Sequence, residues 1–412
     1  MALDLLSSGL DGDRRDGTVR SMSLRLAAKT DALTPFLAME VMERGLVLAA
    51  QGRRIVQLGV GEPDFDAPAE VTEATIAALR AGHTHYTDSR GLLALREAIA
   101  AHYAERRGVE VSPDRILVTA GTSPAMVLVF TALLEPGDEV IIPTPHYPCY
   151  PTIVRAAGGV PVLVPTSPED GYRIDPAAVR RALTPKTRAI LVGSPANPTG
   201  AVQPADVIEA LAELGLPIIS DEIYDGLLYD DARVASPLGM SGDSFILDGF
   251  SKRYAMTGFR LGWLVAPQAA LRGLQTLQQN LFISTNHFVQ EAGIAALQHG
   301  APTAERMRRE YRGRRDLLIA GLERLGLHVP APPRGAFYAF ADARRFGADS
   351  LALAFHLLEE TGVAAGPGRD FGALGEGFLR FSFCAAPEAI AEGLERLAPA
   401  LARLAERPLL DT

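Results

Sequence analysis

A rhythm in the middle of the chain constrains its fold more than any other feature. Six short apolar runs rich in β-branched residues follow one another: "RILVTA" (115–120), "EVIIP" (139–143), "VPVLVP" (160–165), "RAILVG" (188–193), "LPIIS" (216–220) and "FILDG" (245–249). Between several of them lie helix-like stretches such as "SPAMVLVFTALLEPG" and "PADVIEALAELG". The second has a proline in its first turn and stops at Gly215, the asymmetry expected of a helix. Such βα alternation predicts an α/β fold, with a largely parallel sheet covered by helices on both faces. A seventh run, "WLVAP" (263–267), follows "FILDG" after only a short segment. A parallel crossover takes on the order of a dozen residues or more. This strand should therefore run antiparallel, with Lys252 in the connection.

After Pro267 the pattern shifts to long helices, over 268–300 and then "AERMRREYRGRRDLLIAGLERLG". A smaller αβ portion follows: a strand at "GAFYAF" (335–340), a helix at 350–361, a strand at "FLRFSF" and a last helix from about 387. The 412 residues exceed one comfortable core, so two lobes are expected. We assign 1–23 to a polar, flexible tail, 66–304 to a large domain, and 24–65 with 305–408 to a small one. A net charge of −9 argues against nucleic acid or an anionic membrane as partner. Two cysteines, Cys149 and Cys384, are too few for a disulfide framework. They suggest a reducing compartment. The opening "MALDLLSSGLDGDRRDGTVRS" mixes acids and bases and resembles neither a signal nor a transit peptide. A cytoplasmic protein is the expectation.

Open α/β sheets put their sites in the loops beyond the strand ends. "TAGTSPAM" (119–126) follows a strand and opens a helix. Gly121, Thr122 and Ser123 there suit a phosphate at a positive helix end, although a turn plus N-cap is the commoner meaning. Tyr147 in "PHYPCYP" has the face to stack on a planar ring, or simply packs. Asn197 in "SPANPTG" is a ligand donor or a turn asparagine. Asp221 in "SDEIYDG" ends an apolar strand, so its carboxylate must be paired or hydrogen-bonded.

The joint order of these pieces is far more specific than any one of them. With "GVGEPDFDAP" (59–68), "HYTDSRGLLALREAIA" (85–100), "LDGFSKRYAMTGFRLGW" (247–263) and "GFLRFSF" (377–383), the chain resembles the class I/II aminotransferases. These are fold-type-I pyridoxal-phosphate enzymes, and the resemblance runs from about Pro35 to the last helix. It implies a mostly parallel seven-stranded sheet with one antiparallel strand, sandwiched by helices, plus the smaller α+β domain. It also implies pyridoxal 5'-phosphate as cofactor, no metal, and a homodimer with shared sites.

Residue by residue, Lys252 matches the lysine that joins the cofactor through an aldimine and later moves the substrate proton. An amine reacts as the neutral base, so its surroundings must lower its pKa. Arg260 matches the phosphate-binding arginine, whose planar fork suits that group. Gly121, Thr122, Ser123, Ser251 and Tyr86 of the partner subunit would complete the cup. Asp221 matches the partner of the pyridine nitrogen, Asn197 and Tyr224 the donors to the ring's phenolic oxygen, and Tyr147 the stacking aromatic. Arg380 matches the arginine that grips the substrate α-carboxylate, near Asn197. Val60 and Gly61 match the segment lining the substrate pocket.

Aspartate aminotransferases of this family need a cation for the second carboxylate, in some members from the partner's segment after the lysine region. Here "LQTLQQNLFISTNHFVQ" (274–290) has no Lys or Arg. A neutral, aliphatic amino donor is therefore expected, with a dicarboxylate donor as rival. The same scaffold also hosts β-eliminating lyases and specialised-metabolism enzymes with the same lysine, aspartate and arginine. A regulator with a DNA-binding module does not fit the short N-terminal extension or the negative charge.

Overall fold

The computed structural model describes residues 24, 26–31, 33–240 and 243–409. The expected tail 1–23 lies outside the described residues. Contacts divide the chain after Thr34. The described residues of the first unit carry a one-turn helix, Ala28–Asp31.

In the second unit, from Pro35 on, seven strands build one sheet: β1 (Ile116–Thr119), β2 (Glu139–Thr144), β3 (Val160–Pro165), β4 (Thr187–Gly193), β5 (Ile218–Asp221), β6 (Phe245–Gly249) and β7 (Gly262–Val265). Their order is β1-β7-β6-β5-β4-β2-β3. Strands β2 to β6 pair in parallel. Strand β7 lies antiparallel between β6 and β1, with Gly249 and Thr119 both opposite Gly262. The expected reversal is therefore present. Its cause is local: the 250–261 segment contains only a 3-10 turn, Thr257–Phe259, and the chain returns beside the strand it left. At the turn the backbones approach closely; a Cβ on Gly249 would sit 3.0 Å from Gly262 Cα. Strands β1, β5, β6 and β7 are buried throughout, as a sheet covered on both faces requires. The edge strand β3 is partly exposed and carries Pro161 and Pro165, which blunt an open edge.

A smaller sheet is antiparallel: Gly366–Pro367, then β9 (Phe378–Ser382), then β8 (Tyr338–Asp342). Beside it Val56 pairs with Val363, so the two ends of the unit meet. One core joins residues from 41–58 with residues from 307–404, and Tyr224, Leu227 and Tyr229 belong to it. The helix expected at 350–361 is Ser350–Thr361; Asp349 caps its start and Gly362, at φ 72°, ends it.

Two expectations shift. The strand read at 335–340 starts at Tyr338, because Ala336 takes a left-handed φ of 58° and donates its N–H to Leu227 O. The helical stretch 268–300 is two helices, Leu271–Leu281 and His287–His299. Ile283, at φ 65°, turns the chain between them. Among the described residues, no helix is long and apolar enough to cross a membrane, and both cysteines are free.

Candidate active site

The loops beyond β1, β4, β5 and β6 converge, with β9 and the first turn of the helix Leu37–Ala50, on a cavity of about 240 Å³. Lys252 sits three residues beyond β6. Its Nζ donates to Gly61 O at 2.9 Å and lies 5.6 Å from the centre of the Phe337 ring. The side chain reaches the cavity and keeps partial exposure to it. Packing nevertheless pushes its pKa down from 10.5 to about 8, through burial first, with the cations Arg260 and Arg380 adding to it. That is the direction an amine nucleophile needs.

One end of the cavity is built for a phosphate. Gly121, at φ 97°, turns the chain from β1 into the helix Thr122–Leu133. The free N–H groups of that helix start favour an anion. The Arg260 guanidinium lies over this turn, and a Cβ on Gly121 would stand 2.6 Å from its Nη2. Arg260 itself is left-handed, at φ 54°, and donates from Nη1 to Thr257 O at 3.0 Å. Thr122, Ser123 and Ser251 line the same end.

The floor is polar and aromatic. Asp221, the last residue of β5, is buried; its carboxylate accepts from the Tyr150 hydroxyl at 2.8 Å and from Ile223 N–H at 3.3 Å. Burial pushes its pKa up to about 6 against those two hydrogen bonds. A carboxylate so placed gains most from a cationic N–H partner. Tyr147 stands edge-on to Tyr150, with ring centroids 5.4 Å apart, and beside Phe36. The Tyr224 and Tyr338 hydroxyls are 2.9 Å apart.

At the far end is Arg380, buried on β9. It donates from Nη1 to Asn197 Oδ1 at 2.9 Å and from Nη2 to Gly59 O at 2.5 Å. Its guanidinium is sandwiched by Tyr338 and Phe371 at 4.3 and 4.9 Å from their centroids. Its Nε is buried without a hydrogen-bond partner, so an anion brought here completes the group. The Tyr338 hydroxyl crowds Gly61, where a Cβ would come within 1.7 Å of it. Phe36, Ala38 and Met39 close the wall. They are fixed by a distant carboxylate: Asp370 accepts from Leu37 N–H at 3.1 Å and Ala38 N–H at 3.0 Å, an N-terminal cap supplied from across the fold.

Behind the cavity a buried ion-pair network ties its two key turns together. Arg253, next to Lys252, meets Asp225, next to Tyr224, at 2.6 Å. Arg107 meets Glu222 at 2.6 Å and Asp225 at 3.3 Å. Burial would raise the Asp225 pKa, but Arg107, Arg253 and Arg106 outweigh it and hold the group at about 2. Removing one partner of such a network leaves a buried charge uncompensated, so the pairs fix geometry more than they add stability.

Of the residues singled out by sequence, Val60, Gly61, Thr122, Ser123, Tyr147, Asn197, Asp221, Tyr224, Ser251, Lys252, Arg260 and Arg380 line this one cavity. Gly121 underlies it through Arg260. Tyr86 does not line it: it is 81% exposed, on a segment whose Thr87 N–H donates to Ser284 Oγ. Tyr150 and Tyr338, which also line the cavity, carry no signal in the sequence pattern. Tyr150 stands in the quoted "PHYPCYP", but nothing in a one-dimensional pattern aims its hydroxyl at Asp221.

A family model described as aminotransferase class I and II matches residues 53–397. Over 385 residues the chain is 40% identical to the aspartate/prephenate aminotransferase of Thermus thermophilus, covering 92% of this chain and 99% of that one. It is also 40% identical to the arginine–pyruvate transaminase of Pseudomonas aeruginosa, over 89% of this chain and 95% of that one. The solved aspartate aminotransferase from Thermus thermophilus with maleate superposes at a TM-score of 0.87, with 39% identity over 92% of this chain and all of that one. An aminotransferase from Mycobacterium tuberculosis superposes at 0.89, with 36% identity over the same shares.

Proposed function

The chain belongs to the class I and II aminotransferases, pyridoxal-phosphate-dependent enzymes, and on that premise we propose that it moves the amino group of a neutral, aliphatic amino acid to a 2-oxo acid. The observation that carries this is one cavity holding a lysine tuned toward its neutral form, a buried carboxylate, and a buried arginine with an unpartnered Nε.

The residues fit the cofactor. The Gly121 turn, Thr122, Ser123, Ser251 and Arg260 would hold its phosphate. Asp221 would meet the ring nitrogen, Asn197 and Tyr224 the ring oxygen, Tyr147 the ring face, and Lys252 the carbon it is joined through. When bound, pyridoxal phosphate supplies an electron sink for the pair left at Cα when its proton departs. The protein does the rest. Arg380 grips the α-carboxylate and sets the Cα–H direction. Lys252, once free of its own link, takes the Cα proton and would deliver it across the intervening nitrogen to the cofactor carbon it had been joined through. Asp221 stabilises positive charge at the cavity floor, and the Asp370-capped helix turn excludes water. We propose a ping-pong order in which the first oxo acid leaves before the second binds.

Donor choice follows from charge. Among the described lining residues the cations are Lys252, Arg260 and Arg380, and each already has a role toward the cofactor or the α-carboxylate. Phe36, Ala38, Met39, Val60 and Ile223 give the wall an apolar face. Leu281, Phe282 and Ile283 are exposed beside the Tyr86 segment. This supports a second copy of the chain seated there, bringing Tyr86 to its phosphate end and adding no cation. The names of the relatives favour a second reading, aspartate as donor. With 2-oxoglutarate as acceptor, valine and alanine are expected to exceed aspartate in kcat/KM by roughly tenfold or more, since an unpaired buried carboxylate costs at least 1–3 kcal/mol, about tenfold or more. Faster turnover of aspartate than of every neutral amino acid would overturn the neutral donor. The free cysteines support a reducing, cytoplasmic setting.

A further inference from the structure

Away from the cavity, three metal-ligating side chains face one another. His83 follows the helix Ala69–Arg80, while His287 and Glu291 stand one turn apart on the helix His287–His299. His83 Nδ1 and His287 Nε2 each lie 3.5 Å from the same oxygen, Glu291 Oε1. All three ligating atoms fall within 4.8 Å of one another. A separation of 3.5 Å is long for a hydrogen bond. It does match the ligand–ligand edge of a tetrahedral zinc site, which bonds of about 2.0–2.1 Å make roughly 3.4 Å. His83 Nδ1 is buried and has no hydrogen-bond partner, so neither the carboxylate nor solvent satisfies it. The two imidazoles are stacked, with centroids 4.2 Å apart and planes 4° from parallel.

We propose that His83, His287 and Glu291 form a site for one divalent transition-metal ion, with Zn2+ the best match to two imidazoles and one carboxylate. Two neutral imidazoles and one carboxylate leave the bound ion with a single net positive charge. The parallel rings require one imidazole to turn about its Cβ–Cγ bond so that both lone pairs aim at one point. That torsion has a broad, shallow well. All three side chains keep partial exposure, which leaves the fourth position to water. Bound there, the ion would clamp the segment leading to Tyr86 onto the helix that follows Ile283.

The test is titration of the pyridoxal-phosphate holoenzyme with Co2+, read by its visible d–d bands and by displacement with Zn2+. The expected result is one Co2+ per chain with the intense bands of four-coordination. His83→Gln, His287→Ala and Glu291→Gln should each weaken it by roughly tenfold or more, with cofactor content and transamination unchanged. Only the weak bands of six-coordinate Co2+, or intense bands that persist in His83→Gln and His287→Ala, would overturn the site.

Discussion

Lys252→Ala is expected to lower kcat/KM for transamination by at least about 10^3-fold, because the variant loses both the cofactor's covalent link and the positioned base, and the base alone contributes about 10^2–10^4-fold. The chain should still fold, since the lysine makes one hydrogen bond, to Gly61 O. A stability measurement isolates its tuning. With its pKa lowered from 10.5 to about 8 in the folded chain, the ammonium form is disfavoured by folding. The resulting cost is complete below the folded value and vanishes as pH rises past the unfolded one. The cofactor-free wild-type chain should therefore gain stability relative to Lys252→Ala between pH 8 and pH 10.5; a difference that does not change with pH would contradict the buried, depressed amine. Mixing Lys252→Ala with Tyr86→Phe chains should restore part of the activity, because one site in each mixed pair would be intact. No restoration would count against a site completed by a second copy.

Asp221→Asn is expected to lower kcat by about 10^2–10^3-fold while the variant still folds. The carboxylate is the buried charge at the cavity floor, and removing one member of a buried charge pair costs about 2–5 kcal/mol, with 1.4 kcal/mol per tenfold. The Tyr150 hydroxyl still finds an acceptor in the asparagine carbonyl, so Tyr150→Phe, which removes only a neutral hydrogen bond, should cost far less. KM should move less than kcat, because Arg380 and not Asp221 grips the substrate. Equal losses in Asp221→Asn and Tyr150→Phe would show that packing rather than charge matters at this position.

Much of this arrangement is legible from residue order. The βα rhythm gives the parallel strands, and the short link at 250–261 gives the antiparallel β7 and with it the place of Lys252. The pieces that repeat a family's order carry the site residues that line the cavity. What sequence could not supply comes from contacts across the fold. Asp370 caps a helix that starts 333 residues earlier in the chain, and no local pattern marks that pairing. Tyr150 and Tyr338 reach the cavity from the first turn of the helix Cys149–Ala156 and the start of β8, while as letters they are ordinary core aromatics. No local pattern marks the break at Ile283, because a left-handed β-branched residue has no sequence signature and both flanks are helical. The stacked His83 and His287 lie 204 positions apart, a meeting set only by helix packing.

A transaminase works in two separable halves. Its most direct test is to mix holoenzyme with valine in the absence of any oxo acid and to follow the products by mass spectrometry and an ammonia assay. One equivalent of the matching 2-oxo acid per active site is expected, with no free ammonia and renewed turnover only when an acceptor oxo acid is added. Continuous release of ammonia with an oxo acid from any amino acid, acceptor absent, would contradict it.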